Sequence, residues 1–544
     1  MKSIETELKE IVQKGVQKAF DLSLDVADIV IETPKNKDHG DFSTNVAMQL
    51  TRQLKRNPRE IATELIEQLD SDQITSAEIA GPGFINFILS KTRFSEVVQQ
   101  ILEQKENYGQ QPDNHIKVNL EYVSANPTGS LHLGHARGAA WGDSCARIMK
   151  KAGYDVTREY YVNDAGNQIT NLALSLNARY RQAHGLDYEI GEDGYMGADV
   201  QQAGEDLAKE FPNQYLEPTK ENLQFFREKG IEFEMEKIRK DLDQYRVSFD
   251  VWTSEQSLYD RGLVDQAIET LKEKGHTYQE DGALWFETTK YGDDKDRVLI
   301  KQDGSLTYLV PDIANHDQKY KRGFDVIVDF FGADHHGYIP RLKASMQAMG
   351  NNPDQLHVDI IQMVRLVSEG IEVKMSKRLG NATTINELCD NVGVDAARYF
   401  FVSRALDSHL DFDVDLATKK SNDNPVYYAQ YAHARMCSIQ KQATDIQVAD
   451  SFELLTDEKE IDLMKALQEF NKVIVESART RQVHKVCHYI QSVASKFHSF
   501  YNACKVLDAT NPTLSGQRLA LVQATQIVLA NALDLIGVQA VESM

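Results

Sequence analysis

The sequence predicts an α/β fold: a parallel sheet with a helical insertion, preceded by a small α+β domain and followed by an all-helical domain. Residues 116 to 122 alternate apolar and polar side chains, as a strand does, and then lead through a loop with Pro127 and Gly129 into a helical pattern. A second strand pattern follows at residues 154 to 162, and this order of strand, helix and strand implies parallel strands with a right-handed crossover. From about residue 390 onward the pattern is almost entirely helical.

The composition is typical of a globular protein with several domains. The chain has 544 residues, of which 42% are hydrophobic and 26% are charged. No run of the sequence approaches the roughly 18 apolar residues of a membrane-spanning helix, and the N-terminus lacks the apolar core of a signal peptide. We therefore expect a cytoplasmic protein without a membrane partner. A formal net charge of −22 argues against indiscriminate coating of nucleic acid, although a local basic face remains possible.

The N-terminal domain is predicted to span residues 1 to 112. It begins with a helical pattern, and further patterns predict a second helix around residues 45 to 69 and a short strand at residues 81 to 89. Between the two helices, Asp38, His39 and Asp41 are interpreted as a solvated turn with a helix cap.

His132 and His135 lie three residues apart on the first turn of the helix that follows the first strand. Free backbone amides and the positive end of the helix dipole attract anions to such a turn. Two histidines there can donate hydrogen bonds to phosphate oxygens, most strongly where charge develops in a transition state. Taken alone, the pair fits a chance spacing or half of a metal site equally well.

The α/β domain is predicted to span residues 113 to 380. Its acidic and mostly helical stretch, at about residues 185 to 290, is interpreted as an insertion, because strand patterns resume only towards its end. Those strand patterns, and the later ones that we expect to continue the sheet, lie at residues 283 to 288, 298 to 301, 307 to 310, 324 to 332 and 357 to 366. We expect no metal at His335 and His336, because adjacent histidines at a strand-to-helix turn rarely face one ion. The five cysteines contain no C-x-x-C pair, so neither a disulfide framework nor a zinc knuckle is indicated.

Two basic regions are candidate contacts for phosphate. Lys374, Lys377 and Arg378 lie between Gly370 and Gly380, in a loop that can close over phosphates held by the histidine turn or can simply be solvated. Residues 477 to 506 contain no acidic side chain, and the mixture of cations and rings there suits a strand of RNA. The alternative is that the rings belong to a helical core. These side chains are Arg479, Arg481, Lys485, Lys496 and Lys505 with Tyr489, Phe497, Phe500 and Tyr501.

The ordered pair of motifs, His132-Leu133-Gly134-His135 and Lys374-Met375-Ser376-Lys377, resembles the signatures of class I aminoacyl-tRNA synthetases. Further stretches narrow the resemblance to the arginyl-tRNA synthetases, at residues 121–139, 308–312, 332–338, 394–404 and 424–435. The similarity covers essentially the whole chain. It implies a Rossmann-like catalytic domain, a stem-contact connection at residues 381 to 420 and a helical anticodon-binding domain at residues 421 to 544. It also implies that the N-terminal domain contacts the D-loop corner of tRNA.

Members of this family activate L-arginine with ATP and Mg²⁺ and then pass it to the terminal adenosine of tRNA(Arg). The resemblance therefore implies ATP, Mg²⁺, L-arginine and tRNA(Arg) as cofactors and partners, and we expect a monomer. By the same resemblance, His132 and His135 hold ATP phosphates, while Lys374 and Lys377 steady the departing pyrophosphate as the other catalytic residues. The remaining residues of the implied ATP site are Gly134, Gly332, Asp334, Met375 and Ser376.

The guanidinium of arginine is a planar fork of hydrogen-bond donors. A carboxylate can pair with this fork, whereas lysine carries only a point charge, so a site that selects arginine needs suitably placed carboxylates. The positions that match the family's arginine pocket are Glu121, Asn126, Tyr308, Asp312 and His335. Asp312 lies four residues beyond Tyr308, so that one pocket can include both side chains.

Three other functions compete with this interpretation. Cysteinyl-tRNA synthetase shares the architecture but needs thiolate zinc ligands, and the catalytic half offers only the ungrouped Cys145 and Cys389. A small nucleotidylyltransferase shares the His-x-Gly-His motif but needs neither flanking domain. A catalytically inactive relative that binds tRNA is disfavoured by the two intact motifs.

Overall fold

The computed structural model describes residues 4–34, 36–186, 188–373 and 383–544. The chain forms two compact units. The first contains Met1–Glu103, Gln442–Leu467 and Ser499–Ala524, and the second contains the intervening and C-terminal stretches, Gln104–Lys441, Gln468–His498 and Thr525–Met544. Of the helices in the described part of the chain, none has the length and apolar character needed to cross a bilayer.

The N-terminal part of the first unit is a four-stranded antiparallel sheet with helices, in the strand order β1-β2-β4-β3. The single helix predicted around residues 45 to 69 is wrong, since Pro58 starts a separate helix for which the Asn57 side chain caps the Arg59 amide. The elements are α1 (Ile4–Phe20), β1 (Ile31–Glu32), β2 (Phe42–Thr44), α2 (Val46–Gln49), α3 (Thr51–Leu54), α4 (Pro58–Glu67), β3 (Ile74–Ala80), β4 (Phe84–Leu89) and α5 (Lys91–Gln104).

The second unit alternates strands and helices along most of its length. Up to residue 372 its elements are β5 (Lys117–Glu121), α6 (Leu133–Lys151), β6 (Asp155–Val162), α7 (Asn167–Ala183), α8 (Ala198–Glu210), α9 (Lys220–Gln244), β7 (Val251–Ser254), α10 (Glu255–Asp260), α11 (Leu263–Glu273), β8 (Thr277–Glu280), β9 (Ala283–Phe286), β10 (Arg297–Ile300), α12 (Leu309–Lys321), β11 (Val326–Gly332), α13 (Ile339–Met349), β12 (Leu356–Ile361), β13 (Val364–Ser368) and β14 (Ile371–Glu372).

Five of these strands form a sheet in the order β12-β11-β5-β6-β7, and every neighbouring pair is parallel. The carboxyl ends of all five strands therefore lie at one edge of the sheet, where ligands bind in open α/β folds. The predicted strands at residues 116 to 122, 154 to 162 and 324 to 332 are confirmed as β5, β6 and β11.

Helix α6 approaches strand β5 closely, because a glycine faces the ring of a buried tyrosine. A Cβ atom added at Gly142 would lie 2.3 Å from Cγ of Tyr122. Helices α11, α12 and α13 pack against the sheet through a shared apolar cluster that includes Ile327, Leu342 and Leu356. The contact between Gly142 and Tyr122 therefore fixes the distance between the sheet and α6, the helix that begins at the histidine turn.

The structure differs from the sequence predictions in the second half of this unit. Strand β7 lies inside the stretch interpreted as an insertion but pairs with β6 as the edge strand of the parallel sheet. Strands β8, β9 and β10 instead form a small antiparallel sheet of their own. The apolar run at residues 307 to 310 opens helix α12 rather than a strand, and residues 357 to 366 divide between β12 and β13 of different sheets. Short apolar runs do not distinguish a strand from a buried helical turn.

The remainder of the chain is mostly helical, as predicted. Strand β15 pairs in parallel with β13, which also pairs antiparallel with β14. The elements are α14 (Ile385–Val392), α15 (Val394–Val402), β15 (Leu410–Asp413), α16 (Val414–Thr418), α17 (Pro425–Gln442), α18 (Glu458–Thr480), α19 (His484–Ala503) and α20 (Pro512–Leu535).

Candidate active site

The N-terminal turn of α6 is closed by two histidines that cap it reciprocally. The backbone amide of Gly134 donates to Nδ1 of His132, and the amide of His132 donates to Nδ1 of His135, both at 3.2 Å. The two rings stack with their centroids 3.8 Å apart. Because Nδ1 is the acceptor in each neutral ring, Nε2 carries the proton and remains a donor. The turn therefore presents two N–H donors beside a helix N-terminus.

Both histidines are neutral at physiological pH. Burial, together with the neighbouring His132, lowers the pKa of His135 to about 3. Burial also lowers the pKa of His132. The turn therefore attracts an anion through hydrogen-bond donors and the helix dipole, without a formal positive charge of its own.

The second predicted motif, Lys374 to Lys377, lies outside the described residues, but the chain just beyond it is attached to the histidine turn. The amide of Ile385 donates to the carbonyl of Leu131 at 2.9 Å, and Thr384 forms a β-bridge with His132. Thr384 also caps α14 reciprocally with Glu387. Thr384 and Ile385, which follow the second motif in sequence, therefore lie beside the first motif.

The stretch after β11 is exposed at the same sheet edge. Gly332 ends the strand, and Asp334 and His335 lie in a short 3-10 helix, Ala333–Tyr338. The Asp334 side chain is 81% exposed, and its Oδ2 lies 3.5 Å from Nε2 of His335. A side chain at Gly332 would meet Oδ1 of Asp334 at 2.6 Å, so the glycine leaves room for that carboxylate. Asp334 is therefore free to accept hydrogen bonds from a ligand.

Asp312 lies on the first turn of α12 and has an unusually basic carboxylate. The hydroxyl of Tyr338 donates to its Oδ2. Burial raises the pKa of Asp312 to about 6, although the Tyr338 hydrogen bond opposes the shift. Without a bound cation, this carboxylate is therefore partly protonated in weakly acidic solution.

Glu255 is a second basic carboxylate, and sequence reasoning missed it. It follows β7 directly and is 5% exposed. Burial raises its pKa to about 7, and the charge of Asp312 contributes to this rise. The Asn163 side-chain amide is oriented so that its nitrogen faces the Ala165 carbonyl and the Glu255 carboxylate. In this orientation Nδ2 lies 3.1 Å from Oε2 of Glu255.

A tyrosine connects these acids with the end of β5. The charges of Glu255, Asp312 and Glu121 all raise the pKa of Tyr161, to which burial makes the largest contribution. The charges of three carboxylates from three separate elements therefore act on one phenol. Such a group of acids disfavours its own ionisation and is well suited to accept a ligand that carries delocalised positive charge.

The structure leaves two predicted pocket residues at the periphery. The Tyr308 side chain is 77% exposed, one helical turn before Asp312. Asn126 is also exposed, and its Nδ2 donates to Oε1 of Gln168 at 2.7 Å. In the described part of the chain, Asn126 bonds to Gln168, and the hydroxyl that donates to Asp312 is that of Tyr338 rather than Tyr308.

Three family models match the chain. They are an arginyl tRNA synthetase N terminal domain at residues 6–89, the catalytic domain of tRNA synthetases class I (R) at residues 97–407, and a DALR anticodon binding domain at residues 429–544. The catalytic model alone matches more than half of the sequence. The chain belongs to the arginyl-tRNA synthetase family.

Curated relatives within this family match along the full length. An arginine--tRNA ligase of Anoxybacillus flavithermus is 53% identical, with 99% of this chain and 98% of the relative covered. An arginine--tRNA ligase of Bacillus subtilis is 52% identical over the same shares of the two chains. The resemblance inferred from the motifs is thus confirmed.

Solved structures of arginyl-tRNA synthetases share the fold. The Thermus thermophilus enzyme has a TM-score of 0.75 at 20% identity and covers 99% of this chain and 100% of its own. The Plasmodium falciparum enzyme has a TM-score of 0.76 at 19% identity and covers both chains fully. The predicted fold class, a class I catalytic sheet with a C-terminal helical domain, is confirmed.

Three of the four aromatic rings in the basic stretch at residues 477 to 506 are buried. Tyr489, Phe497 and Phe500 are 6%, 0% and 0% exposed, so the alternative that they form helix core is correct. Arg481 pairs with Asp359, its Nε lying 2.6 Å from Oδ2. Stacking of RNA bases on these three rings is therefore excluded.

Glu255 was not predicted as a pocket residue because it lies inside the stretch that is interpreted from the sequence as an insertion. One local signal was available: residues 251 to 254, Val-Trp-Thr-Ser, combine β-branched and aromatic side chains and directly precede an acid. That is the same pattern of a strand followed by a polar residue that marked Asp334. In this arginyl-tRNA synthetase, sheet order rather than sequence distance brings Glu255 to the site.

Proposed function

We propose that the chain is an arginine--tRNA ligase, which activates L-arginine with ATP to arginyl-adenylate and pyrophosphate and then transfers arginine to the terminal adenosine of tRNA(Arg), giving AMP. The observation that carries this proposal is the identity of 52% to 53%, along the full length, with curated proteins of that name. The geometry at the sheet edge supports it, since donors for phosphate lie at the start of α6, directly after β5, and acceptors for a cation lie at the end of β5 and at the starts of α10 and α12.

In the activation step the carboxylate of arginine attacks the α-phosphorus of ATP, and the bond to the pyrophosphate oxygen breaks. The protein must hold developing negative charge in place, which is a matter of positioning and electrostatics. His132 and His135 donate from Nε2 to phosphate oxygens, with Gly134 giving the chain room at the turn. Lys374 and Lys377 neutralise the departing pyrophosphate, and Met375 and Ser376 complete that loop.

The arginine side chain is selected by charge and shape. Asp312 and Glu121 receive its cationic groups, and we add Glu255 because it shares the environment of Tyr161 with them. Tyr308, Asn126 and His335 complete the pocket when substrate is bound. A neutral isostere leaves a buried carboxylate unpaired, which costs binding free energy.

Asp334 accepts hydrogen bonds from the ribose hydroxyls of ATP, and Gly332 lets the nucleoside approach the strand. Mg²⁺ would be held by oxygens of the ATP phosphates and by water, as is usual for nucleotide-bound Mg²⁺, and would offset the phosphate charge there. Such an ion requires no dedicated cluster of protein ligands. Among the described residues, no group of three or more His, Cys, Asp and Glu side chains is arranged to hold a metal.

The remaining domains provide contacts with tRNA. In this proposal residues 1 to 112 contact the D-loop corner, residues 381 to 420 contact the acceptor stem, and residues 421 to 544 read the anticodon. Residues 113 to 380 form the catalytic domain. The protein acts as a monomer in the cytoplasm.

The test is the exchange of radioactive pyrophosphate into ATP with arginine, lysine or cysteine, each with and without tRNA(Arg). Exchange with arginine alone among the three amino acids supports the proposal, and dependence on tRNA would show that RNA completes the site. Exchange with cysteine would indicate the cysteinyl alternative. No exchange despite tight tRNA binding would indicate an inactive tRNA-binding relative.

A further inference from the structure

A lysine is completely buried beneath the proposed arginine pocket. Lys319, on α12, is 0% exposed, and its Nζ lies 2.7 Å from Oε2 of Glu121 and 2.7 Å from Oδ1 of Asp329. Glu121 ends β5 at the ligand edge of the sheet, whereas Asp329 lies within β11 and is also 0% exposed. One buried cation therefore bridges an interior acid and an acid of the proposed site.

Asp329 does not need this lysine for a partner. Its other oxygen, Oδ2, lies 2.7 Å from Nε2 of His316, whose Nδ1 is 2.7 Å from the carbonyl of Asp312. The charge of Asp329 raises the pKa of His316, so this histidine can carry the compensating charge. A buried ion pair is a weak source of stability, because desolvation offsets the attraction. The contact with Glu121 therefore points to a role beyond stability.

The two carboxylate oxygens of Glu121 have different partners: Oε2 contacts interior side chains, and Oε1 contacts the loop at the proposed ligand site. Oε2 meets Lys319 and, at 3.4 Å, Nδ2 of Asn315. Oε1 accepts a hydrogen bond from the hydroxyl of Ser124 at 3.1 Å, within the loop that leads from β5 to the histidine turn. Lys319 thus holds Oε2 of the carboxylate, and Oε1 faces the loop that leads to the histidine turn, where the proposed ligand binds.

We propose that Lys319 is a positioning residue for recognition of the amino acid: it holds the Glu121 carboxylate in the one orientation that presents Oε1 to a cationic group of the substrate. This inference rests on the proposed function, in which Glu121 contacts arginine. Lys319 itself has both of its near partners inside the protein and does not touch the substrate. Its loss affects binding of the amino acid rather than the chemistry on phosphate.

The test compares Lys319→Met with Lys321→Met, a control on the same helix whose lysine is half exposed and pairs with Asp317. We expect Lys319→Met to raise the KM for arginine by about ten- to a hundredfold, the scale of a lost hydrogen bond to a charged group. The kcat and the KM for ATP should stay close to those of the parent protein. Lys321→Met should leave all three values unchanged.

Two further variants keep the test decisive if Lys319→Met folds poorly. Asp329→Asn retains the contact between Lys319 and Glu121 and should bind arginine almost as the parent does. Lys319→Met/Asp329→Asn removes a buried charge of each sign, so it should fold, yet it should show the raised KM. An unchanged KM in the double variant, or an equal rise in Asp329→Asn, would overturn the inference. If the parent protein itself showed no exchange with arginine, the proposed function would fail first, and this inference with it.

Discussion

Arginine binding should release protons, because the two basic carboxylates of the pocket must ionise to pair with a guanidinium. The pKa of Glu255 is about 7 and that of Asp312 is about 6, each raised chiefly by burial. A raised carboxyl pKa means that the proton stays on as the pH falls through that value. A positive ligand beside each group favours the ionised form and expels the proton.

The number of protons released on arginine binding follows from these two pKa values. At pH 6 about nine-tenths of Glu255 and about half of Asp312 are protonated, so binding should release about 1.4 protons. At pH 8 the two groups together retain only about 0.1 proton. If both groups must be ionised, arginine should bind about twentyfold more weakly at pH 6 than at pH 8.

Isothermal titration of arginine into the protein measures this release. At each pH, the slope of the binding enthalpy against the ionisation enthalpy of two buffers gives the number of protons exchanged. Asp312→Asn should reduce the release at pH 6 to at most about 0.9, because loss of the Asp312 charge also lowers the pKa of Glu255, and Glu255→Gln should reduce it to about 0.5. Each variant also reports whether its carboxylate contacts the ligand, since loss of that contact weakens binding at pH 8.

The reasoning would be refuted by binding that exchanges no protons at pH 6, or by a release that persists unchanged in both variants. Either result would mean that the two acids do not face the guanidinium. Lysine, titrated under the same conditions, provides the comparison for a cation that lacks the planar fork of donors.

Three other substitutions test separate parts of the site. His132→Asn keeps an acceptor for the Gly134 amide but loses the Nε2 donor, so exchange should slow about a hundredfold while the thermal midpoint stays nearly constant. Gly142→Ala places a methyl group against the Tyr122 ring and should cost about 1–3 kcal/mol in urea unfolding. Lys377→Ala should slow single-turnover adenylate formation far more than it weakens arginine binding, and an unchanged chemical step would contradict its role.

Local sequence patterns predicted the parts of the site that are built from local contacts. His132 and His135 cap the helix on which they lie, so their spacing and the preceding strand pattern were sufficient to place both side chains on its first turn. The strands that end at Glu121 and Gly332 were equally visible, because both their length and their apolar pattern are typical of buried strands.

The same patterns misassigned elements whose identity depends on their neighbours. The run at residues 307 to 310 looks like a strand but starts α12, where Leu309 and Val310 are buried in the cluster against the sheet. The rings of Tyr489, Phe497 and Phe500 looked available to RNA but face a helical core. Burial is a property of packing partners, which a single segment does not contain.

The sequence by itself determined the family, the fold class and the two motifs, since these depend on residues close together in the chain. Only the tertiary structure added Glu255 to the proposed acid pocket, because β7, which it follows, is the edge strand of the sheet β12-β11-β5-β6-β7 although it lies inside the predicted insertion. The bridging position of Lys319 depends on the same order, because β11 and β5 are neighbours despite their separation in sequence. The free energy that sets these contacts comes from burying distant segments against each other, and no local pattern records which segments will meet.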